Sequence, residues 1–277
     1  MAIIPKTRIY EGGELLTGAT LNANATNVNN FLLAPPAFKA IKSFSTGAVT
    51  IPNNVPYRVR WEAATLNREF AWTTTPIVYG TSYNWSATYV SATTATFTAG
   101  IVSLGLFEIG DVVTTSGFSN AAYNVTNAIV ISRTSNSATL YRQSGSFTNP
   151  YSGTGGTVSV SMEPYLKILT GGWYLINVGI QWQGNANGTR ETFVFVTDGD
   201  KRFSGGSGSQ VGYFVTSWSP VNTGVINSPS VFAYLREGYY LSVSATQTSG
   251  GNLNTPADAN GSSQLTAQWI SDGYKFP

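Results

Sequence analysis

The 277-residue sequence carries 15 basic and 13 acidic side chains for a net charge of +2, and its charged fraction of 10% is far below the roughly 25% of an ordinary soluble domain. That length admits one large β domain or two of moderate size, either of which buries a real core. The lack of cysteine excludes disulfides and thiolate metal sites, the lack of histidine excludes Ser-His-Asp and Cys-His catalysis, and the scattered charges exclude a basic run that would track nucleic-acid phosphates.

Residues 1–35 hold the one helical pattern. Leu21, Ala25, Val28 and Leu32 fall at i, i+4, i+7 and i+11, a narrow apolar stripe on one helical face. Thr17 or Thr20 is placed to act as N-cap, and Pro35-Pro36 would end the helix. The other positions are largely Asn, a poor helix former, so the helix needs a surface to dock on. Two readings stand: a short helix packed on its own domain, or an adaptor that binds a larger assembly or bundles with its copies. The start, Met1-Ala-Ile-Ile-Pro-Lys-Thr-Arg, has no apolar stretch or small-residue cleavage site, and no run approaches the roughly 18 apolar residues of a membrane span. The expectation is a chain made and assembled in a cytoplasm, without membrane insertion.

From Phe38 onward strand follows strand. Residues 77–165 read as a unit of their own, a small β-barrel or sandwich, with short strands such as Ala95-Thr-Phe-Thr, Asp111-Val-Val-Thr-Thr, Ala128-Ile-Val-Ile-Ser, Ala138-Thr-Leu-Tyr and Thr157-Val-Ser-Val-Ser. A weak echo links Ser91-Ala-Thr-Thr-Ala-Thr-Phe to Ser135-Asn-Ser-Ala-Thr-Leu-Tyr, without a sustained repeat. At the start of this unit Tyr79, Tyr83, Trp85 and Tyr89 concentrate. Aromatic faces stack on sugar rings, so these four are candidate glycan contacts; the favoured alternative is that they pack the junction with the neighbouring unit.

Beyond it, Tyr174, Ile176, Val178, Ile180 and Trp182 share one strand face. Phe193 and Phe195 alternate with Val194 and Val196, and Thr197-Asp-Gly-Asp carries the Asp-Gly signal of a tight hairpin. Leu241, Val243 and Ala245 alternate likewise, as do Leu265, Ala267 and Trp269. Such strands with no helical pattern between them predict an all-β fold, a β-sandwich or jelly roll.

Carboxylate chemistry is what composition leaves open, in the pairs Asp198 with Asp200, Glu62 with Glu69, and Glu108 with Asp111. Asp198 and Asp200 flank a turn glycine and precede Lys201 and Arg202, which suits a turn better than calcium. Glu62 and Glu69 sit beside Arg60 and Arg68, which suits ion pairing. Ser204-Gly-Gly-Ser-Gly-Ser-Gln lacks the lysine and following helix of a phosphate loop. No catalytic residue, metal ligand or cofactor is assigned, and the chain is expected not to be an enzyme.

The two flanks, residues 36–76 and 166–277, together resemble the globular-head jelly roll of complement and tumour-necrosis-factor-like proteins. Pro36-Ala-Phe-Lys-Ala-Ile, Thr50-Ile-Pro-Asn-Asn-Val-Pro-Tyr and Asn67-Arg-Glu-Phe match its opening strands, and Gly171-Gly-Trp-Tyr-Leu-Ile-Asn-Val is similar to its Gly-Tyr-Tyr strand. Phe193-Val-Phe-Val-Thr-Asp-Gly-Asp, Val231-Phe-Ala-Tyr-Leu-Arg-Glu-Gly-Tyr-Tyr-Leu-Ser-Val and Leu265-Thr-Ala-Gln-Trp-Ile follow in family order. The resemblance implies a homotrimer; the unit at 77–165 is an insertion in it. Gly110-Asp-Val-Val-Thr-Thr-Ser-Gly-Phe-Ser-Asn-Ala-Ala-Tyr-Asn resembles small β modules of tailed-phage virion proteins, and Leu15-Leu-Thr-Gly-Ala-Thr-Leu-Asn-Ala-Asn the start of phage fibre proteins. Together they imply a structural phage protein of tail-fibre or receptor-binding type, docked to other virion proteins by its N-terminal arm and facing a host-surface glycan. A trimeric capsid decoration protein is the alternative, and a carbohydrate-active enzyme a distant third.

Overall fold

The computed structural model describes residues 34–42, 49–61, 63–68, 70–71, 77–79, 85–100, 107–149, 151–160, 165–198, 210–218, 225–227, 229–255 and 263–272. Leu21, Ala25, Val28 and Leu32, and with them the expected N-terminal helix, lie outside the described residues. Among the described residues the regular structure is strand, apart from one 3-10 turn at Ala121–Tyr123, and no helix is long and apolar enough to cross a membrane.

The opening strands are β1 (Ala37–Ile41), β2 (Val49–Ile51), β3 (Tyr57–Arg58), β4 (Ala63–Arg68) and β5 (Phe70–Ala71). Next come β6 (Ile77–Tyr79), β7 (Trp85–Tyr89), β8 (Thr94–Thr98), β9 (Val112–Ser116), β10 (Ala128–Arg133), β11 (Ser137–Tyr141) and β12 (Ser152–Val160). The last third holds β13 (Tyr165–Ile168), β14 (Gly172–Trp182), β15 (Arg190–Thr197), β16 (Gln210–Trp218), β17 (Val225–Asn227), β18 (Ser230–Leu235), β19 (Tyr240–Gln247), β20 (Leu253–Thr255) and β21 (Gln264–Ser271).

Strands from both ends of the chain interleave in two antiparallel sheets. One runs β4-β1-β21-β14, with β17 and β18 both pairing β14; the other runs β5-β13-β19-β15-β16, with β3 pairing β19. Numbering β1, β13, β14, β15, β16, β18, β19 and β21 from one to eight, the sheets read 1-8-3-6 and 2-7-4-5. That alternation between sheets is a jelly roll. Its core follows from the period of two. Tyr174, Ile176, Val178, Ile180 and Trp182 are buried, as are Val194 and Val196, Leu241, Val243 and Ala245, and Leu265 and Ala267. Trp269 is half-buried beside a register shift between β14 and β21, where its indole N–H donates to the Gly171 carbonyl at 3.2 Å.

The Asp-Gly signal after β15 does not make a tight hairpin. Thr197 pairs with Gln210, so residues 198–209 form the connection.

The strands between Ile77 and Val160 close on themselves in the order β12-β7-β8-β11-β10-β9, with β9 returning to β12 and β6 added beside β12. Closure pairs each of the six ring strands with a neighbour on both sides. The barrel has its own aromatic interior of Trp85, Phe97, Phe107, Phe118, Tyr123 and Phe147. Phe118 lies flat over the backbone of β12 at Gly156, where any added Cβ would sit 2.2 Å from the ring.

Barrel and jelly roll meet over a mixed polar and apolar contact. Val112 and Ile129 from the barrel join the jelly-roll apolar cluster. Arg58 N–H donates to the Gly110 carbonyl at 2.9 Å, and Gly110 N–H to the Val130 carbonyl at 2.8 Å. Gln143 accepts from Thr50 N–H at 3.0 Å and donates to the Asn127 carbonyl at 2.8 Å, while Arg60 donates to the Asn127 side chain at 3.2 Å. The Asn252 amide reaches the Tyr141 hydroxyl at 2.6 Å.

Candidate functional site

β18 alternates without exception: Val231, Ala233 and Leu235 face the core, while Ser230, Phe232 and Tyr234 face out. Its neighbour β14 is in register, with Trp173 opposite Tyr234 and Leu175 opposite Phe232. Apolar positions therefore occupy both faces of one sheet. Outside, Trp173 stacks on Phe232 at 4.9 Å and 9° between planes, and meets Tyr234 edge-on at 5.7 Å and 68°. Phe232 is 55% exposed, Tyr234 44%, and Ile270 on the adjoining β21 46%. The side chains bordering this cluster along the sheet, Ser230, Asn177, Thr266 and Gln268, are uncharged. An exposed aromatic cluster of this kind, rimmed by polar amides and hydroxyls, is the surface composition of a protein contact.

Of the four aromatic candidates for glycan contact, the side chains of Trp85 and Tyr89 lie among the described residues. Trp85 is 1% exposed, inside the barrel against Phe107 at 5.6 Å, so its indole face is taken by packing. It lies in the barrel core and not at the junction, which is built instead from Pro56 to Arg60, Gly110 to Val112, Asn127 to Ile129 and Tyr141 to Gln143. Tyr89 packs half-buried against the same core, Tyr79 pairs through its backbone with Val158, and Tyr83 lies outside the described residues. Strand alternation explains the outcome: Trp85, Ala87 and Tyr89 take the barrel-facing side of β7.

Of the acidic pairs, Glu108 and Asp111 are the one whose two members both lie among the described residues. Asp111 is fully buried, accepts the Glu108 N–H at 2.9 Å and lies 3.5 Å from Arg58 Nε, tying the barrel to the jelly roll. Glu108 pairs with Arg133 at 3.1 Å. Asp198 is exposed at the end of β15, and Asp200, Glu62 and Glu69 lie outside the described residues. Among the described residues no cluster of three metal-ligating side chains exists.

Burial, then the neighbouring Tyr151 and Tyr89, push the Tyr123 phenol above its ordinary value, and the hydroxyl donates to the Thr148 carbonyl at 2.9 Å. Burial lowers Arg190, whose guanidinium donates to the carbonyls of Asn185, Asn187 and Thr189 and lies over the Trp182 ring. Both are scaffold features: Tyr123 closes the barrel interior, and Arg190 ties down the loop between β14 and β15.

No protein-family model matches the chain, and none of the curated proteins matches it. Among solved structures it is similar to the Eiger TNF from S. frugiperda, with a TM-score of 0.36 and 11% identity over 87% of this chain and 96% of that one. At that level the likeness carries no weight of its own; the jelly roll rests on the strand order.

Proposed function

We propose that this chain is a structural protein of a phage particle, of tail-fibre or receptor-binding type, that works as a homotrimer. The cluster of half-buried Trp173 with exposed Phe232 and Tyr234 carries the reading, because an aromatic face of this kind is what a second copy of the chain would cover. The family resemblance of the flanking segments supports three copies, and the fibre-like N-terminal segment supports docking to other virion proteins. The barrel is then a second head packed against the jelly roll, in the virion of a particle assembled in the host cytoplasm.

Light scattering on the purified chain tests the assembly. A mass near three times 29.5 kDa is expected, falling to one chain in Phe232→Asp, whose buried charge no partner in the patch compensates. A wild-type protein that stays monomeric at high concentration would overturn the reading. The compact build, with no repeated shaft among the described strands, also suits a capsid decoration protein. Copy number in the particle separates the two: a few dozen copies for a tail component, hundreds for decoration.

A further inference from the structure

The aromatic face of Trp173, Phe232, Tyr234 and Ile270 lies where the first described residues enter the sheet. The Pro36 carbonyl accepts the Trp269 N–H at 2.9 Å, so β1 begins level with Trp269 on β21. From β21 the sheet continues to β14, where Trp173 pairs with Ser271, and then to β18, where Tyr234 pairs with Trp173. Pro36 therefore stands at the same end of the sheet as Trp173, Tyr234 and Ile270, three strand spacings from β18, or about 14 Å. Ala34, two residues earlier, is exposed.

Residues 1–33 precede that point, and their apolar stripe, Leu21, Ala25, Val28 and Leu32, ends two residues before Ala34. Four extended residues span up to about 14 Å, so Leu32 is within reach of every strand of the face from Pro36. At helical rise the stripe from Leu21 to Leu32 is about 17 Å long, and β21 and β18 are about 10 Å apart. The chemistry matches as well. From Leu15 to Phe38 the sequence holds no charged residue, and Asn22, Asn24, Asn27 and Asn29 accompany the stripe. The face is bordered by Asn177, Thr266 and Gln268, so amides meet amides and hydroxyls while the aliphatic stripe meets the rings. A charged occupant would give up hydration there, and none of those three offers a charge in return.

We propose that, before assembly, the Leu21, Ala25, Val28 and Leu32 stripe lies on the Trp173, Phe232, Tyr234 and Ile270 face of its own chain, and that a second copy displaces it. Tethering at Pro36 gives the stripe an effective concentration on the order of millimolar at the face, so a contact too weak to form between separate molecules holds within one. The covered face keeps unassembled copies from associating early. A second copy brings a whole sheet face against the rings, and the displaced segment is then free to dock to other virion proteins. The displacement rests on the homotrimer proposed above; the contact in the free chain does not.

The full chain carrying Leu21→Asn, Val28→Asn and Leu32→Asn tests the contact. The readout is the fluorescence of anilinonaphthalene sulfonate, which reports exposed apolar surface, at a concentration where light scattering gives the mass of one chain. The parent is expected to give a low signal and the stripe variant a severalfold higher one, and adding Phe232→Ser is expected to remove the gain. Light scattering should show the stripe variant associating at a severalfold lower concentration than the parent, since the face no longer has to be uncovered first. A dye signal that the stripe substitutions leave unchanged, a gain that survives Phe232→Ser, or association moved to higher concentration would overturn the contact. So would a parent still trimeric at nanomolar concentration, because no free chain then exists to be covered. The two ideas fail separately: a trimer whose stripe variant gains no dye signal sinks the contact alone, and a chain that gains it but is monomeric at every concentration sinks the assembly and the displacement.

Discussion

Single side chains in this protein are placed by what they must avoid as much as by what they touch. Tyr123 is the clearest case, a phenol inside an aromatic barrel whose hydroxyl has one carbonyl to donate to. Its ionised form has no favourable place there, so its folded value is raised above the ordinary 10.0. Below pH 10 the hydroxyl is neutral in both folded and unfolded chains, and its stabilisation is fully present. Above about pH 10 the unfolded chain loses the proton first, so stability falls as pH rises toward the raised folded value. Melting curves between pH 8 and 11 are expected to show a drop that Tyr123→Phe makes smaller, at a cost of about 1 kcal/mol at neutral pH for the lost hydrogen bond. An identical alkaline drop in the Phe variant would mean that other groups govern it.

At the scale of strands, β12 does two jobs. It pairs β6 and β7 on one side and β9 on the other, and through β9 it closes the barrel. A register shift between Thr154 and Gly156 lets the strand bend into the curve. Gly156 stands where the Phe118 ring lies on the backbone, so Gly156→Ala forces the ring to move within a packed aromatic core. The expected cost is about 1–3 kcal/mol, read as a shift of the urea midpoint. An unchanged midpoint would show that Phe118 repacks freely. β8 and β11 show that the echo between Ser91-Ala-Thr-Thr and Ser135-Asn-Ser-Ala has a physical basis: the two strands are antiparallel neighbours, with Thr96 and Thr139 hydroxyls 3.1 Å apart. Each follows a turn closed by a hydroxyl, at Ser91 and at Thr134.

At the scale of the molecule, the junction decides how the two β units are presented. Gly110, at φ +92, passes against Pro56 while its carbonyl takes the Arg58 N–H. Alanine there meets both an unfavourable backbone region and the Pro56 oxygen, so Gly110→Ala is expected to destabilise by about 2–3 kcal/mol. Calorimetry should then resolve separate transitions for barrel and jelly roll where the parent shows one, and a single unshifted transition would show that the contact is dispensable. The same contact brings Ile109 of the barrel against a cavity lined by Pro56, Arg58, Phe193 and Ser244, whose geometry therefore depends on the placement of the barrel.

The sequence by itself determined the all-β class, the alternation that puts Tyr174 to Trp182 inside and the order of jelly-roll strands, because a period of two and turn residues are local properties of a chain. It also held the outer aromatics in plain view, in Val231-Phe-Ala-Tyr-Leu, where both faces of a strand are apolar. Only the tertiary structure decided that Trp85 is interior while Phe232 is exposed, that Thr197 pairs with Gln210, and that β9 closes onto β12. The cavity is the extreme case, since Pro56, Ile109, Phe193 and Ser244 come together from four distant parts of the chain. Register and packing between remote segments place such groups, and no local pattern encodes them.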